Sequence, residues 1–253
     1  MVEPRFKRNF DALPEIGSTV LLDGDEGKHA ASVRRMRVGE AIALTDGRGA
    51  QVRGSVSGVA PKSISIKVES AERVGEPALR IRLVQALAKG DRDELAVQAA
   101  TELGAIAVTP WQAERSISRW DEAKAIKGRD RWQVICDEAG KQAIRAWFPE
   151  VEPLVSTEAL AIFIRNRDLG TVLVLDPTST KGLSQAVESI TADASIREVT
   201  LVVGPEGGIS ETELELFEAA GAIRVHLGSD ILRTSTAGMA AIAVINAANG
   251  SYR

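Results

Sequence analysis

Leu201-Val-Val-Gly-Pro-Glu-Gly-Gly-Ile-Ser210 and Leu227-Gly-Ser-Asp-Ile-Leu-Arg-Thr-Ser-Thr-Ala237 are the two stretches that decide the fold. Each follows an apolar run that reads as a buried strand, and each leads into a helix. Two such strand ends, side by side in one sheet, make a crevice lined by peptide N–H and C=O groups. Open α/β sheets bind their ligands in such crevices. The glycine spacing is neither the dinucleotide pattern G-x-G-x-x-G nor the phosphate loop G-x-x-x-x-G-K-[ST]. The expected ligand is nucleotide-like, but neither NAD nor ATP.

Outward from these stretches the chain alternates strand and helix. Strands are predicted at Leu79–Ala86, Ile106–Thr109, Thr171–Leu175, Val199–Val203 and Ile223–Leu227. Helices are predicted at Asp91–Leu103, from Asp121 to about Ala146 with a break near Gly128 or Gly140, at Leu183–Ile190, after Ser210, and at Thr236–Ala248. Asp91 with Glu94, and Ser210 with Glu213, have capping-box spacing. The alternation predicts a mainly parallel sheet covered on both faces. The last helix leaves almost no polar face from Ala237 to Ile245. Such a helix must be buried all round; packing on the sheet and on a partner subunit is the expected means, with wholly intramolecular burial as the alternative.

Residues 1–70 read differently. Ser18–Leu22, Glu40–Thr45, Ala50–Val59 and Lys62–Val68 are short β runs, and Ser63-Ile-Ser-Ile-Lys-Val68 alternates with period two. His29 to Val38 reads as one short helix carrying an arginine cluster. A small closed sheet or barrel follows from such strands. The polar stretch Ser70–Ala78, with Gly75 and Pro77, reads as the linker. The expected domains are therefore 1–74, mostly β, and 75–253, α/β.

The chain has 253 residues, 44% of them hydrophobic, which is enough for a sizeable core. One cysteine, Cys136, rules out a disulfide framework within the chain and suits a reducing cytoplasm. No apolar run approaches a membrane span, and the N-terminus lacks the apolar core of a secretory signal. No Cys/His spacing suggests a metal. Net charge is −4, but residues 1–74 hold 12 Lys/Arg against 10 Asp/Glu, a net of +2. Their basic residues cluster at Arg5, Lys7 and Arg8 and at Arg34, Arg35 and Arg37. A local basic face of this kind can bind phosphates, although a solvated charged face has the same composition.

Six ordered segments carry a resemblance over nearly the whole chain. They are His29-Ala-Ala-Ser-Val-Arg-Arg-Met-Arg37, Lys89-Gly-Asp-Arg-Asp-Glu-Leu-Ala to Gly104, Trp111-Gln-Ala-Glu-Arg-Ser116, Asp137-Glu-Ala to Gln142 with Arg145, Gly204-Pro-Glu-Gly-Gly208, and Leu227-Gly to Ile231-Leu-Arg-Thr234. Together they resemble the 16S ribosomal RNA (uracil-N3)-methyltransferase family, within the knotted SPOUT class of S-adenosylmethionine-dependent enzymes. The resemblance implies a PUA-like RNA-binding β-barrel at 1–74 and a knotted methyltransferase domain at 75–253. It also implies a homodimer through the C-terminal domain, S-adenosyl-L-methionine as cofactor, and 16S rRNA or the assembled 30S subunit as cytoplasmic partner.

For the site, the resemblance implies a cofactor held by Leu175, Gly204, Pro205, Glu206, Gly207, Gly208, Leu227, Gly228, Ile231, Leu232, Arg233 and Thr236. Arg233 is the candidate to stabilise charge on the uracil carbonyl oxygens as the N3 proton leaves, and Glu206 is a candidate proton acceptor. A salt bridge by Arg233 and a turn-holding role for Glu206 are the structural alternatives. Arg5, Arg8, Arg34, Arg35, Arg37, Arg115 and Arg145 are candidate phosphate contacts, which position RNA without reading its sequence. His29 and most of Trp111, Trp120, Trp132 and Trp147 read as structural. One departure stands out: relatives often carry glutamate where this chain has Ser235, which cannot act as a carboxylate. The position reads as tolerant, with activity retained. A non-catalytic RNA binder and a knotted methyltransferase acting on another RNA position are the rival readings.

Overall fold

The computed structural model describes residues 3–167 and 170–251. The chain divides into two compact units, Met1–Glu76 with Gly140–Phe148, and Pro77–Ala139 with Pro149–Arg253.

The first unit is a five-stranded sheet in the order β1-β3-β4-β5-β2, curled into a half-barrel. Its strands are β1 (Arg5–Lys7), β2 (Thr19–Leu22), β3 (Ala41–Thr45), β4 (Ala50–Ala60) and β5 (Ser63–Arg73). Pairing is antiparallel except for β1 on β3, and β4 pairs with β5 through two register shifts, at Arg53/Gly54 and Val56/Gly58. Such irregularities bend a strand and increase its twist. The period-two reading of β5 holds: Ile64, Ile66 and Val68 are buried with Phe6, Leu22, Ile42, Leu44 and Val52, while Lys67 faces solvent.

Three local readings change here. Ser70–Arg73 is not linker, because β5 continues along the N-terminal part of β4. Backbone pairing does not require apolar side chains. The short helix lies earlier than expected: α1 spans Gly24–Lys28 and runs into a single π-helical turn, His29–Val33. Arg35 then takes a left-handed backbone, φ 54°. Arg34, Arg35 and Arg37 therefore sit on an exposed loop and not on a helix face. β1 went unread because Phe6 is its one core residue and charged residues flank it.

The second unit holds six parallel strands in the order β11-β9-β10-β6-β7-β8. They are β6 (Arg80–Ala86), β7 (Ala107–Trp111), β8 (Glu150–Val151), β9 (Gly170–Leu175), β10 (Glu198–Val203) and β11 (Ile223–Val225). The helices are α2 (Arg92–Glu102), α3 (Glu122–Gln142), α4 (Thr157–Arg165), α5 (Leu183–Ala192), α6 (Glu211–Ala219) and α7 (Thr234–Ala248). Side chains alternate across the sheet as a doubly covered layer requires. On β6, Ile81 and Leu83 enter one apolar cluster, whereas Val84 and Ala86 enter the other.

The Ser210–Glu213 capping box on α6 forms as expected. The box expected at Asp91 does not. Asp91 has φ 60° and its side chain makes no cap. Asp93 takes over, its Oδ1 accepting from Glu94 N (2.9 Å) and its Oδ2 from Ala88 N (3.0 Å). Glu94 instead pairs with Arg131 (2.6 Å to Nη2). Unread in the sequence were β8 and α4, the latter capped by Ser156. On α7, Ala237, Gly238, Ala241, Ile242 and Ile245 are buried, while Met239, Ala240, Ala243 and Val244 are half-buried. Burial is thus one-sided within the chain, and not complete all round. No helix among the described residues is long and apolar enough to cross a membrane.

α3 is unbroken at both glycines. Each admits a ring instead: a Cβ on Gly128 would lie 2.5 Å from the Trp120 indole, and one on Gly140 2.5 Å from the Phe148 ring. Phe148 is also flanked by Gly47, where a Cβ would come within 2.8 Å. The ring is therefore held between two glycines and has little room to move. Gly140→Ala should gain about 1 kcal/mol of helix propensity and lose about 1–3 kcal/mol to overpacking. A net fall in thermal midpoint is expected. An unchanged or raised midpoint would show that the ring adapts.

Candidate functional site

Strand register creates the site. Leu175, Val203 and Val225 stand in one row across β10, β9 and β11. The next residues, Asp176, Gly204 and His226, therefore leave the sheet side by side. Between the three departing loops and the start of α7 lies a cavity of about 340 Å³, within the roughly 300–1,000 Å³ typical of ligand pockets. Leu175, Val203, Pro205, Ile209, Val225, Leu227, Ile231, Leu232 and Ala237 supply an apolar lining. Arg92, Asp176, Glu206, Asp230 and Arg233 are the charged residues on it.

The loop after β10 needs its glycines. A Cβ on Gly204 would lie 2.6 Å from Ile209 Cγ1, and Gly208 has φ 72°. The opposing loop leaves peptide groups unused. Among the described residues, the N–H groups of Leu227, Gly228, Ile231 and Leu232 donate no hydrogen bond. Ile231 is 81% exposed and Leu232 41% exposed. Free donors beside uncovered aliphatic side chains form a wall suited to a flat heteroaromatic ring.

Carboxylates tie the loops down. Glu206 Oε1 accepts from Lys89 N (3.0 Å) and from Arg92 Nη1 (2.9 Å). Partial burial opposes its charge, but these hydrogen bonds and the Arg92 pair win, so the carboxyl lies below its usual range. Asp176 accepts from Arg224 Nε (2.7 Å) and from Thr178 N (3.0 Å). Desolvation of Asp176 is likewise outweighed, by Thr178 and Arg224, and its carboxyl is lowered too. Burial wins at Asp93, which is pushed up despite the Ala88 and Glu94 N–H groups. Arg224 is held charged by hydrogen bonding to Asp176.

Most of the residues expected at the cofactor site meet here. Leu175, Gly204, Pro205, Glu206, Gly208, Leu227, Gly228, Ile231, Leu232 and Arg233 all line the cavity. Gly207 and Thr236 do not. Gly207 lies against Arg115, whose Nη1 donates to its carbonyl (3.3 Å), and Thr236 Oγ1 donates to Arg233 O (3.1 Å). Arg233 makes no side-chain hydrogen bond or ion pair among the described residues, so the salt-bridge alternative has no support. Sequence reasoning missed Arg92, Asp176, His226, Asp230 and Thr234. Asp176 and His226 directly follow or close apolar runs, a position that places them in the crevice of any open parallel sheet. Arg224, a charge inside a short apolar strand, was the further sign of a buried pair.

The proposed phosphate contacts differ in freedom. Arg34, Arg35 and Arg37 are exposed. Arg5 is bound to Gln51, and Arg8 Nε donates to Leu21 O (2.9 Å). Arg115 is exposed in the second unit, and Arg145 is half-buried in the first. His29 packs edge-on against Phe6 at 5.8 Å. Trp111 and Trp132 are fully buried, and Trp120 lies across Trp132. Trp147 is half-buried and donates to Val74 O (3.1 Å) and Gly75 O (3.0 Å).

Fold and site together define an α/β protein with a small-ligand crevice at the carboxyl edge of a parallel sheet. The chain belongs to the RNA methyltransferase family: the model of the RNA methyltransferase domain matches residues 75–246, and that of the RNA methyltransferase PUA domain matches residues 22–69. It is 40% identical over 239 residues to the ribosomal RNA small subunit methyltransferase E of Mycobacterium tuberculosis, covering 93% of this chain and 88% of that one. The Bacillus subtilis protein of the same name is 32% identical over 92% of this chain and 91% of its own length. Among solved structures, the Neisseria gonorrhoeae enzyme of that name, bound to S-adenosyl methionine, superposes with a TM-score of 0.82 at 29% identity, covering 97% and 98% of the two chains. A Legionella pneumophila structure with bound cofactor SAM gives 0.85 at 30% identity over 98% of both chains.

The Glu206 clamp has a pH signature. A carboxyl lowered on folding adds stability fully above its unfolded pKa and loses it as pH falls through the folded value. Glu206→Gln should therefore lower the thermal midpoint at neutral pH and match the parent at a pH below the folded value. An equal deficit at both pH values would remove the charge argument.

Proposed function

We propose that the protein transfers a methyl group from S-adenosyl-L-methionine to N3 of a uridine in the 16S rRNA of the small ribosomal subunit. The observation that carries the reading is the crevice at the ends of β9, β10 and β11, with its aliphatic wall and unused peptide donors. Family membership and the bound cofactor of the Neisseria relative support it.

The residues present fit this cofactor. Leu227, Gly228, Ile231 and Leu232 would enclose the adenine with side chains and backbone donors. The 204–208 loop would approach from the other side, its glycines removing the side chains that would block it. Leu175 completes the assigned lining, whereas Thr236 lies outside the cavity and Arg233 is assigned to the substrate. Asp230 has no partner among the described residues and offers negative charge to a cationic ligand. When bound, the cofactor supplies an electrophilic methyl group on a sulfonium.

The chain's own contribution is position and field. Arg233 lines the cavity, and its guanidinium has no partner among the described residues. We assign it to stabilise charge on the uracil carbonyl oxygens as N3 loses its proton. Glu206 already accepts two hydrogen bonds and is unusually acidic. In this reading it holds the loops and does not take the proton. Ser235, half-buried in the first turn of α7, supplies no carboxylate, so methylation proceeds without one at that position.

The same reading assigns RNA phosphates to the arginines. Arg34, Arg35 and Arg37 would make the principal contacts in the first unit, with Arg5, Arg8 and Arg145, and Arg115 would contribute from the second. The half-buried face of α7, Met239, Ala240, Ala243 and Val244, would pack on a second copy. The end of the chain would thread the knot of the SPOUT class, and the site of action would be the cytoplasm, where the small subunit is found.

Incubation with labelled S-adenosylmethionine and undermethylated 30S subunits should yield 3-methyluridine on nucleoside analysis. Label on another base atom or on ribose would overturn the assigned position, and no label at all would favour a pure RNA binder. Arg233→Ala should lower kcat about 10²–10³-fold, with cofactor affinity within about threefold of the parent. An unchanged kcat would remove Arg233 from the chemistry.

A further inference from the structure

Gln85 breaks the pattern of β6. Its neighbours on that face, Leu83 and Leu87, are fully buried in the apolar cluster, and Gln85 is equally buried at 0% exposure. An unpaired amide in such a place is unfavourable by about 1–3 kcal/mol. Yet Gln85 Oε1 is buried and has no partner. Its nitrogen is fully used: Nε2 donates to Ala86 O (3.1 Å) and to Thr234 Oγ1 (2.8 Å). The Ala86 carbonyl can only accept, so the nitrogen must face it, and this fixes the orientation of the amide.

The consequence appears at Thr234, which opens α7 and is 6% exposed. Its hydroxyl has one proton. Because Gln85 donates into the hydroxyl oxygen, that proton is left for Gly204 O, and Thr234 Oγ1 lies 2.7 Å from it. Gly204 begins one cofactor loop, and Thr234 follows directly on Ile231–Arg233 of the other. Gln85 itself stands opposite Val203 in the β6–β10 pairing, one residue before that loop. The relay Gln85→Thr234→Gly204 therefore joins a core strand to both walls of the crevice.

We infer that Gln85 and Thr234 are positioning residues that set the distance between the two cofactor loops. The inference rests on the proposed cofactor site. Both residues act through the backbone of Gly204 and the start of α7, and the direction of the hydrogen bonds is part of the device. A threonine or serine hydroxyl can accept and donate at this spot, whereas valine can do neither. Glutamine can donate from the core, whereas methionine of similar volume cannot.

The test is calorimetric titration of S-adenosylmethionine into the full chain and its variants, with thermal midpoints recorded on the same ligand-free samples. Thr234→Val should bind about tenfold more weakly, the effect of one lost hydrogen bond of about 1.4 kcal/mol. Thr234→Ser should stay within about twofold of the parent. Gln85→Met should weaken binding about three- to tenfold, and it decides by the same criterion if Thr234→Val does not fold. A merely structural role would lower the midpoint while leaving the affinity of the folded protein unchanged. The inference is overturned if Thr234→Val, or Gln85→Met in its place, binds like the parent, or if Thr234→Ser binds as weakly as Thr234→Val. A parent protein that binds no S-adenosylmethionine would refute the proposed function itself, a result distinct from either.

Discussion

The register of three parallel strands is the constraint on which the site depends. Val203, Leu175 and Val225 lie in one row, so β10, β9 and β11 end level with one another. A parallel strand cannot reverse into its neighbour and must send its chain away over the edge. Three level ends side by side leave three loops that diverge from a common line. The gap between them is a cavity whose floor is this row, Leu175, Val203 and Val225. A slip of one residue in β9 or β10 would put Leu175 or Val203 on the other face and close the gap with core side chains.

Level strand ends do not by themselves make a firm pocket, because loops free at one end move. The loops here are tied in different ways. The pairs at the surface, such as Arg92–Glu206 with 39% and 20% of the side chains exposed, carry modest energy singly. Their value is in combination with backbone donors: Glu206 also holds Lys89 N, and Asp176 also holds Thr178 N. A carboxylate that accepts from a backbone N–H and an arginine fixes a loop in two directions at once. The Asp176–Arg224 pair is more enclosed, at 6% and 18% exposure. Removing one partner there leaves a charge in a poorly solvated place, which is far more damaging than losing a surface pair.

The parts legible in the sequence were those with a strong period or a strong punctuation mark. Five of the six parallel strands were visible as apolar runs, and the Ser210–Glu213 box announced α6. The glycines of 204–208 marked the loop because backbone conformation demanded them. The polar ties were not legible. Glu206 with Lys89 and Arg92, Asp176 with Arg224, and Gln85 with Thr234 join residues 48 to 149 positions apart. No local pattern encodes such a pair, and only a polar residue out of place in an apolar strand hints at one. Asp91 shows the converse. Its spacing to Glu94 was right for a cap, but Asp93 offered a carboxylate with two backbone donors within reach, and the longer-range Arg131 claimed Glu94. Gly128 and Gly140 misled for a related reason: a glycine in a helix reads as a break, although here each makes room for an aromatic ring.

The arginines of the first unit extend the same reasoning to charge. Arg5, Arg8, Arg34, Arg35 and Arg37 look equivalent in the sequence, yet the fold divides them. Arg5 is half-buried against Gln51, and burial lowers its pKa most, with Arg53 adding to that. Arg8 lies over the ring of Phe10 at 4.8 Å and donates to Leu21 O. Both are drawn into the structure that they decorate. The side chains of Arg34 and Arg35 have no hydrogen bond or ion pair among the described residues. A guanidinium in water gives up little when it meets a phosphate, whereas one already bound to protein must first lose a partner. The left-handed backbone at Arg35 turns the chain so that Met36 is buried while the arginines on either side of it stay in solvent. Within the first unit, an anionic polymer would therefore gain most from this loop, with Arg5 and Arg8 mainly serving to hold the sheet edge beneath their own segment.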